Sequence, residues 1–179
     1  LMMLDEVQTG NGRTGKYFAY QHTSIIPDVI TTAKGLGNGF PIGAVMTQGR
    51  GAGVLTAGNH GSTYSGTPLG SRVVYTVIDT IQKENLTENA SKMGAYIVEQ
   101  FRTQLAAQNV TVRGFGLMIG IELPKACPDL VHIARDEYKV ILNVTAGSVI
   151  RLLPALNINK EQADQLIERV VKMVKNYLA

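Results

Sequence analysis

The chain of 179 residues has a single cysteine, Cys127, so an intrachain disulfide is excluded. A lone thiol suits a reducing compartment, and a cytoplasmic location is the expectation. The three histidines, His22, His60 and His132, lack metal-ligand spacing, and no metal site is predicted. Charged residues make up only 17%, and the formal net charge of +3 is spread along the chain. No basic stripe with interleaved aromatics exists, which argues against a nucleic-acid partner. No apolar run approaches the length of a membrane span, so no membrane partner is expected. The glycine loops contain neither G-x-G-x-x-G after a strand nor a Walker lysine, which argues against dinucleotide and P-loop nucleotide binding. A G-x-S-x-G elbow is also missing.

What is present is apolar sequence in quantity. Hydrophobic residues reach 45%, enough for a buried core and one large or two small domains. Residues 1–4 read as a fully buried strand ending at Asp5. A glycine-rich turn loop follows at residues 9–15, then a short helical turn at 16–22. Residues 28–33 form a second buried strand, β-branched at Val29, Ile30, Thr31 and Thr32. A further glycine loop runs from Gly35 to Pro41, and residues 42–47 are a third strand candidate. Residues 48–63 form a long loop, which in a folded domain is a functional or mobile one.

Thr67 and Pro68 mark a helix start, and the helix runs to about Lys83 with Val73, Val77 and Ile81 on one face. Glu84-Asn85 is the expected boundary between domain 1–84 and domain 85–179. The second domain begins with an amphipathic helix over 86–108, striped by Met93, Ile97, Phe101 and Leu105. Strands are predicted at 110–113 and 117–123, and a helix at 128–138. A hairpin pairs 140–144 with 149–153. Asn159 and Gln162 form a capping box for the last helix, with Leu166, Ile167, Val170, Val174 and Leu178 inward. The whole reads as α/β followed by α+β.

Asp5 and Lys34 each follow an apolar run that ends at a turn. In an open α/β sheet such positions face the ligand crevice. A lysine there can condense with an aldehyde cofactor, and an acid can hold a protonated pyridine nitrogen. Each also has an ordinary reading, as a solvated lysine and a turn-capping aspartate. Ser62 and Thr63 precede a helix start and suit a phosphate or an ordinary polar loop. Arg151 interrupts an apolar strand and calls for an anion, either a substrate carboxylate or an internal salt-bridge partner.

The runs at residues 4–15 (LDEVQTGNGRTG) and 27–44 (PDVITTAKGLGNGFPIGA) resemble the class III pyridoxal-phosphate aminotransferases. So do residues 60–66 (HGSTYSG) and 113–120 (RGFGLMIG). Residues 143–145 and 149–156 are similar to the acetylornithine branch of that family. The resemblance implies a fold-type-I transferase, with residues 1–84 the C-terminal part of a large cofactor-binding domain and 85–179 the small C-terminal α+β domain. It implies pyridoxal 5'-phosphate as cofactor, and transfer of an amino group from N-acetylornithine to 2-oxoglutarate in arginine biosynthesis. Related substrates are ornithine, 4-aminobutyrate and succinylated diaminopimelate. A non-catalytic dimerisation module is the reading from another class.

By the same resemblance Lys34 is the catalytic lysine linked to the cofactor, and Asp5 pairs with the pyridine nitrogen. Val7 packs on the ring, Gln8 approaches the ring hydroxyl and Glu6 lines the same run. Thr63 reaches the phosphate of the partner subunit's cofactor, Ser62 lies near bound substrate, and Arg151 holds the substrate α-carboxylate. A homodimer with interfacial sites is implied. Thr67 stands where the family usually has asparagine, an exchange between two good N-caps. The family's N-terminal segment, with its phosphate loop and ring-stacking aromatic, has no counterpart in these residues. The expectation is therefore a C-terminal portion that alone is inactive or binds cofactor weakly.

Overall fold

The computed structural model describes residues 1–179, and the chain divides into two units, Leu1–Thr87 and Glu88–Ala179. The first unit holds a three-stranded sheet of β1 (Met3–Asp5), β2 (Val29–Thr32) and β3 (Ala44–Thr47), in that order. β1 and β2 are parallel, with Met3, Leu4 and Asp5 opposite Val29, Ile30 and Thr31. β2 and β3 are antiparallel. Val29, Ile30 and Thr32 of the central strand are buried.

Residues 1–4 differ from expectation. Only Met3 and Leu4 are strand, and Leu1 and Met3 are each 64% exposed. Within these residues β1 pairs with β2 alone. The third strand is also shorter than predicted and exposed at all four residues.

α1 (Pro68–Lys83) begins where the sequence places it, with Thr67 at the N-cap and Pro68 in the first turn. The Thr67 hydroxyl makes no capping bond; its carbonyl accepts from Ser71 N at 2.9 Å. Ile81 is buried. Gly70 lies against Ile42 and Phe40, so the start of α1 packs on the loop that follows Lys34.

In the second unit, α2 (Leu86–Gln104) leads into a hairpin of β4 (Thr111–Phe115) and β5 (Met118–Glu122). α3 (Leu130–Asp136) follows, then β6 (Asn143–Thr145), β7 (Val149–Leu152) and α4 (Lys160–Leu178). The four strands form one antiparallel sheet in the order β4-β5-β7-β6. The predicted 86–108 helix ends early. Leu105 leaves helical geometry, a 3-10 turn covers Ala106–Gln108, and Asn109 is left-handed at φ 51°.

Period-2 alternation divides the sheet into two faces. Val112, Ile121, Ile150 and Leu152 point into the core with Ile97, Phe101 and Leu105 of the α2 segment and Ile167, Val170 and Val174 of α4. Each such side chain contributes roughly 1.5–3 kcal/mol by leaving water. The capping box at α4 is complete: Gln162 N donates to Asn159 Oδ1 at 2.9 Å, and Asn159 N donates to Gln162 Oε1 at 3.0 Å. The opposite sheet face presents one cross-strand row, Arg113, Gly120, Arg151 and Asn143.

Candidate active site

Asp5 is the last residue of β1, and Lys34 follows β2 after Ala33 alone. The two strands are parallel neighbours about 4.8 Å apart, so both residues leave the sheet at the same, carboxyl, edge. Both side chains are exposed there. Asp5 Oδ1 accepts from Val7 N at 2.9 Å, a turn that fixes the carboxylate at the strand end. Val7 and Gln8 are half-buried in the same turn.

Lys34 has φ 45°, in the left-handed region that side chains other than glycine, asparagine and aspartate rarely enter. Such strain of roughly 1–3 kcal/mol persists only where surrounding structure imposes it. Here the imposing bonds are visible. Leu36 N donates to Ala33 O at 2.9 Å, and Gly37 N and Asn38 N both donate to Lys34 O, at 3.2 and 3.1 Å. From the other side, buried Asn11 donates from Nδ2 to Thr32 Oγ1 at 2.9 Å and to Ala33 O at 3.1 Å.

Glu6 does not share the exposed edge. It is 3% exposed, and its carboxylate turns into the loop that follows. Oε2 accepts from the Thr9 hydroxyl and from Ala19 N at 3.0 Å; Oε1 accepts from Tyr20 N at 2.9 Å. Its backbone N–H donates to Thr31 O at 2.9 Å, continuing the parallel pairing past Asp5. Both oxygens are thus committed to the protein's own loop. A buried carboxylate requires such donors.

Asp28 was not among the expected site residues. Its carboxylate accepts from Met2 N at 2.7 Å, Arg50 N at 3.0 Å and Arg50 Nη2 at 3.1 Å. The Met2 N–H, then the Arg50 guanidinium, hold its pKa down at about 2. Asp28 therefore ties the starts of β1 and β2 to the segment after β3, at the end of the sheet opposite Asp5 and Lys34.

Ser62 and Thr63 lie on an exposed loop, where the Ser62 carbonyl accepts from Ser65 N at 3.2 Å. No bond draws either hydroxyl to the Asp5–Lys34 edge.

In the second unit Arg151 sits in β7 between Gly120 and Asn143 in register. It takes part in none of the ion pairs, which removes the internal salt bridge as its explanation. Its Nε is buried with no hydrogen-bond partner. A buried unpaired donor is costly, and an anionic ligand is the natural complement.

An exposed amine and an exposed carboxylate at one parallel-sheet edge, beside the glycines at 35, 37 and 39, suit an aromatic aldehyde with a basic ring nitrogen. The comparisons with known proteins agree. Residues 1–174 match the family described as Aminotransferase class-III. The chain is 48% identical to an acetylornithine aminotransferase of Nitrosomonas europaea, over 99% of this chain and 46% of that protein. It superposes on the ornithine aminotransferase of Plasmodium yoelii with TM-score 0.90 and 37% identity, over 99% of this chain and 48% of that one. The corresponding values for the Toxoplasma gondii enzyme are 0.90 and 31%, over 98% and 44%, and that structure has pyridoxal phosphate at partial occupancy in its active site.

The fold is that of a fold-type-I transferase of the pyridoxal-phosphate class. The chain belongs to the class III aminotransferases. It spans about half the length of the curated relatives it matches. No helix is long and apolar enough to cross a membrane.

Proposed function

We propose that the protein containing this chain transfers an amino group from N-acetylornithine to 2-oxoglutarate, as a step of arginine biosynthesis. The observation that carries the chemistry is the emergence of Asp5 and Lys34 from neighbouring parallel strands at one edge. The 48% identity to an acetylornithine aminotransferase supports the choice of donor.

When bound, pyridoxal phosphate supplies an aldehyde that captures amines and a ring that withdraws electrons from the substrate's α-carbon. Lys34 Nζ would hold the cofactor and, as a general base, would take up the proton of the substrate α-carbon. Asp5 would offer its carboxylate to the ring nitrogen and favour the protonated form. Val7 would pack against the ring and Gln8 would approach its hydroxyl. Arg151 grips the substrate α-carboxylate with its unpaired donors. Ser62 contacts substrate, and Thr63 reaches the phosphate held by a second copy in a cytoplasmic homodimer. Residues 1–84 serve as the C-terminal part of the large domain and 85–179 as the small domain.

The test is a visible spectrum of the full-length protein with pyridoxal phosphate, before and after each amine donor. N-acetylornithine should bleach the cofactor band, and 2-oxoglutarate should restore it. A faster response to ornithine or 4-aminobutyrate would reassign the donor. A Lys34→Ala protein with an unchanged spectrum would support a non-catalytic module instead.

A further inference from the structure

The strained backbone at Lys34 is bracketed by one side chain from a distant loop. Asn11 is 4% exposed and itself left-handed, at φ 57°. Its Nδ2 reaches the residue before Lys34, donating to Ala33 O at 3.1 Å, and also donates to Thr32 Oγ1 at 2.9 Å. It also touches the residue after Lys34. A Cβ built on Gly35 would stand 3.3 Å from Asn11 Cβ. The Ala33 carbonyl can only accept, which fixes the amide nitrogen toward it, and the remaining amide oxygen accepts from Tyr17 OH at 3.3 Å.

The Ala33 carbonyl belongs to the peptide plane that joins Ala33 to Lys34. Lys34 φ is the rotation that follows that plane, so a bond fixing the carbonyl restrains the direction in which the lysine leaves the strand. Leu36 N bonds the same oxygen from the far side at 2.9 Å. The loop bearing Asn11 is in turn pinned by the Glu6 carboxylate to Ala19 and Tyr20.

We infer that Asn11 is a positioning residue for Lys34: its amide holds the left-handed backbone that aims the lysine amine at the cofactor aldehyde. This rests on the assignment of Lys34 as the cofactor-linked lysine. The role is one of orientation, and a near-attack geometry lost by loosening lowers rate more than affinity.

Asn11→Gly is the informative substitution, because glycine accepts φ 57° without strain while every side-chain bond of Asn11 is removed. Asn11→Asp retains shape while replacing the donor with an acceptor facing Ala33 O. Tyr17→Phe is the control that removes a bond to the Asn11 amide oxygen while leaving the Nδ2 bonds to Thr32 and Ala33 in place. Two readouts are made on the full-length protein: amide hydrogen exchange at Leu36, Gly37 and Asn38, and the first-order rate of cofactor-band formation at saturating pyridoxal phosphate.

Loss of a hydrogen bond worth about 1.4 kcal/mol predicts exchange roughly tenfold faster at these amides in both Asn11 variants. The capture rate should fall at least about tenfold, with a smaller change in apparent affinity. Tyr17→Phe should leave both within about twofold of the parent. Unchanged exchange and rate in Asn11→Gly would overturn the inference, as would an equal loss in Tyr17→Phe. Should Asn11→Asp fail to fold, Asn11→Gly alone decides. Should the unsubstituted protein form no cofactor band, the assignment of Lys34 fails, and the exchange pattern still decides whether Asn11 holds the Lys34 backbone.

Discussion

Glu6→Gln is close to isosteric, and the structure says why it should nonetheless be disruptive. The carboxylate accepts three bonds, two on Oε2 from Thr9 and Ala19 N, and one on Oε1 from Tyr20 N. A glutamine offers one oxygen and one amide nitrogen. Placing its oxygen at the Oε2 position keeps two acceptors' worth of bonding and sets an N–H against Tyr20 N. Leaving that donor unsatisfied costs about 1–3 kcal/mol, and losing charge assistance in the other two bonds adds roughly 1 kcal/mol. The reversed placement orphans Ala19 N instead and gains nothing. We therefore expect the first unit to lose about 2–4 kcal/mol. The chain has no tryptophan, so urea unfolding is followed by far-ultraviolet circular dichroism. Amide exchange at Ala19 and Tyr20 reports locally and should accelerate by at least about tenfold. A variant within ~0.5 kcal/mol of the parent, with both amides still protected, would refute the clamp.

Other outcomes follow from single contacts. The Asp28 carboxyl sits at about 2, below its unfolded value, so its stabilisation is complete above the ordinary carboxylate range and is lost as pH falls toward 2. Asp28→Asn should flatten the acid limb of the stability profile, and an unchanged limb would contradict the assignment. A Cβ on Gly94 would stand 2.0 Å from the Gly116 carbonyl oxygen, so Gly94→Ala should destabilise the second unit by about 1–3 kcal/mol or more in thermal melts, despite alanine's better helix propensity. Arg151→Leu should be neutral or stabilising by up to ~2 kcal/mol, since it removes an unpaired buried donor, while weakening amine-donor binding at least about tenfold. A marked loss of stability would instead point to a structural partner for the guanidinium.

Several features were legible because local chemistry decides them. The Thr67–Pro68 start of α1, the Asn159–Gln162 box of α4 and the Met93-Ile97-Phe101 stripe depend on neighbours one turn away. The tight β6–β7 turn, left-handed at Ala146 and Gly147, was legible for the same reason. Arg151 was visible as a charge in an apolar strand, whereas its missing partner was a matter of tertiary structure. Asn11 carried one overlooked signal, an asparagine between two glycines, the pattern of a left-handed turn residue. What it bonds, more than twenty residues away, no local pattern could reveal. The same holds for Glu6, whose burial depends on where the loop after it returns.

The direct trial of the account is reduction of the protein with borohydride in the presence of pyridoxal phosphate, followed by peptide mass mapping. One pyridoxyl group per chain on Lys34, with the other lysines essentially unlabelled and Asp5→Ala sharply reducing the yield, is the predicted result. Labelling scattered over surface lysines, or full Lys34 labelling in Asp5→Ala, would contradict it.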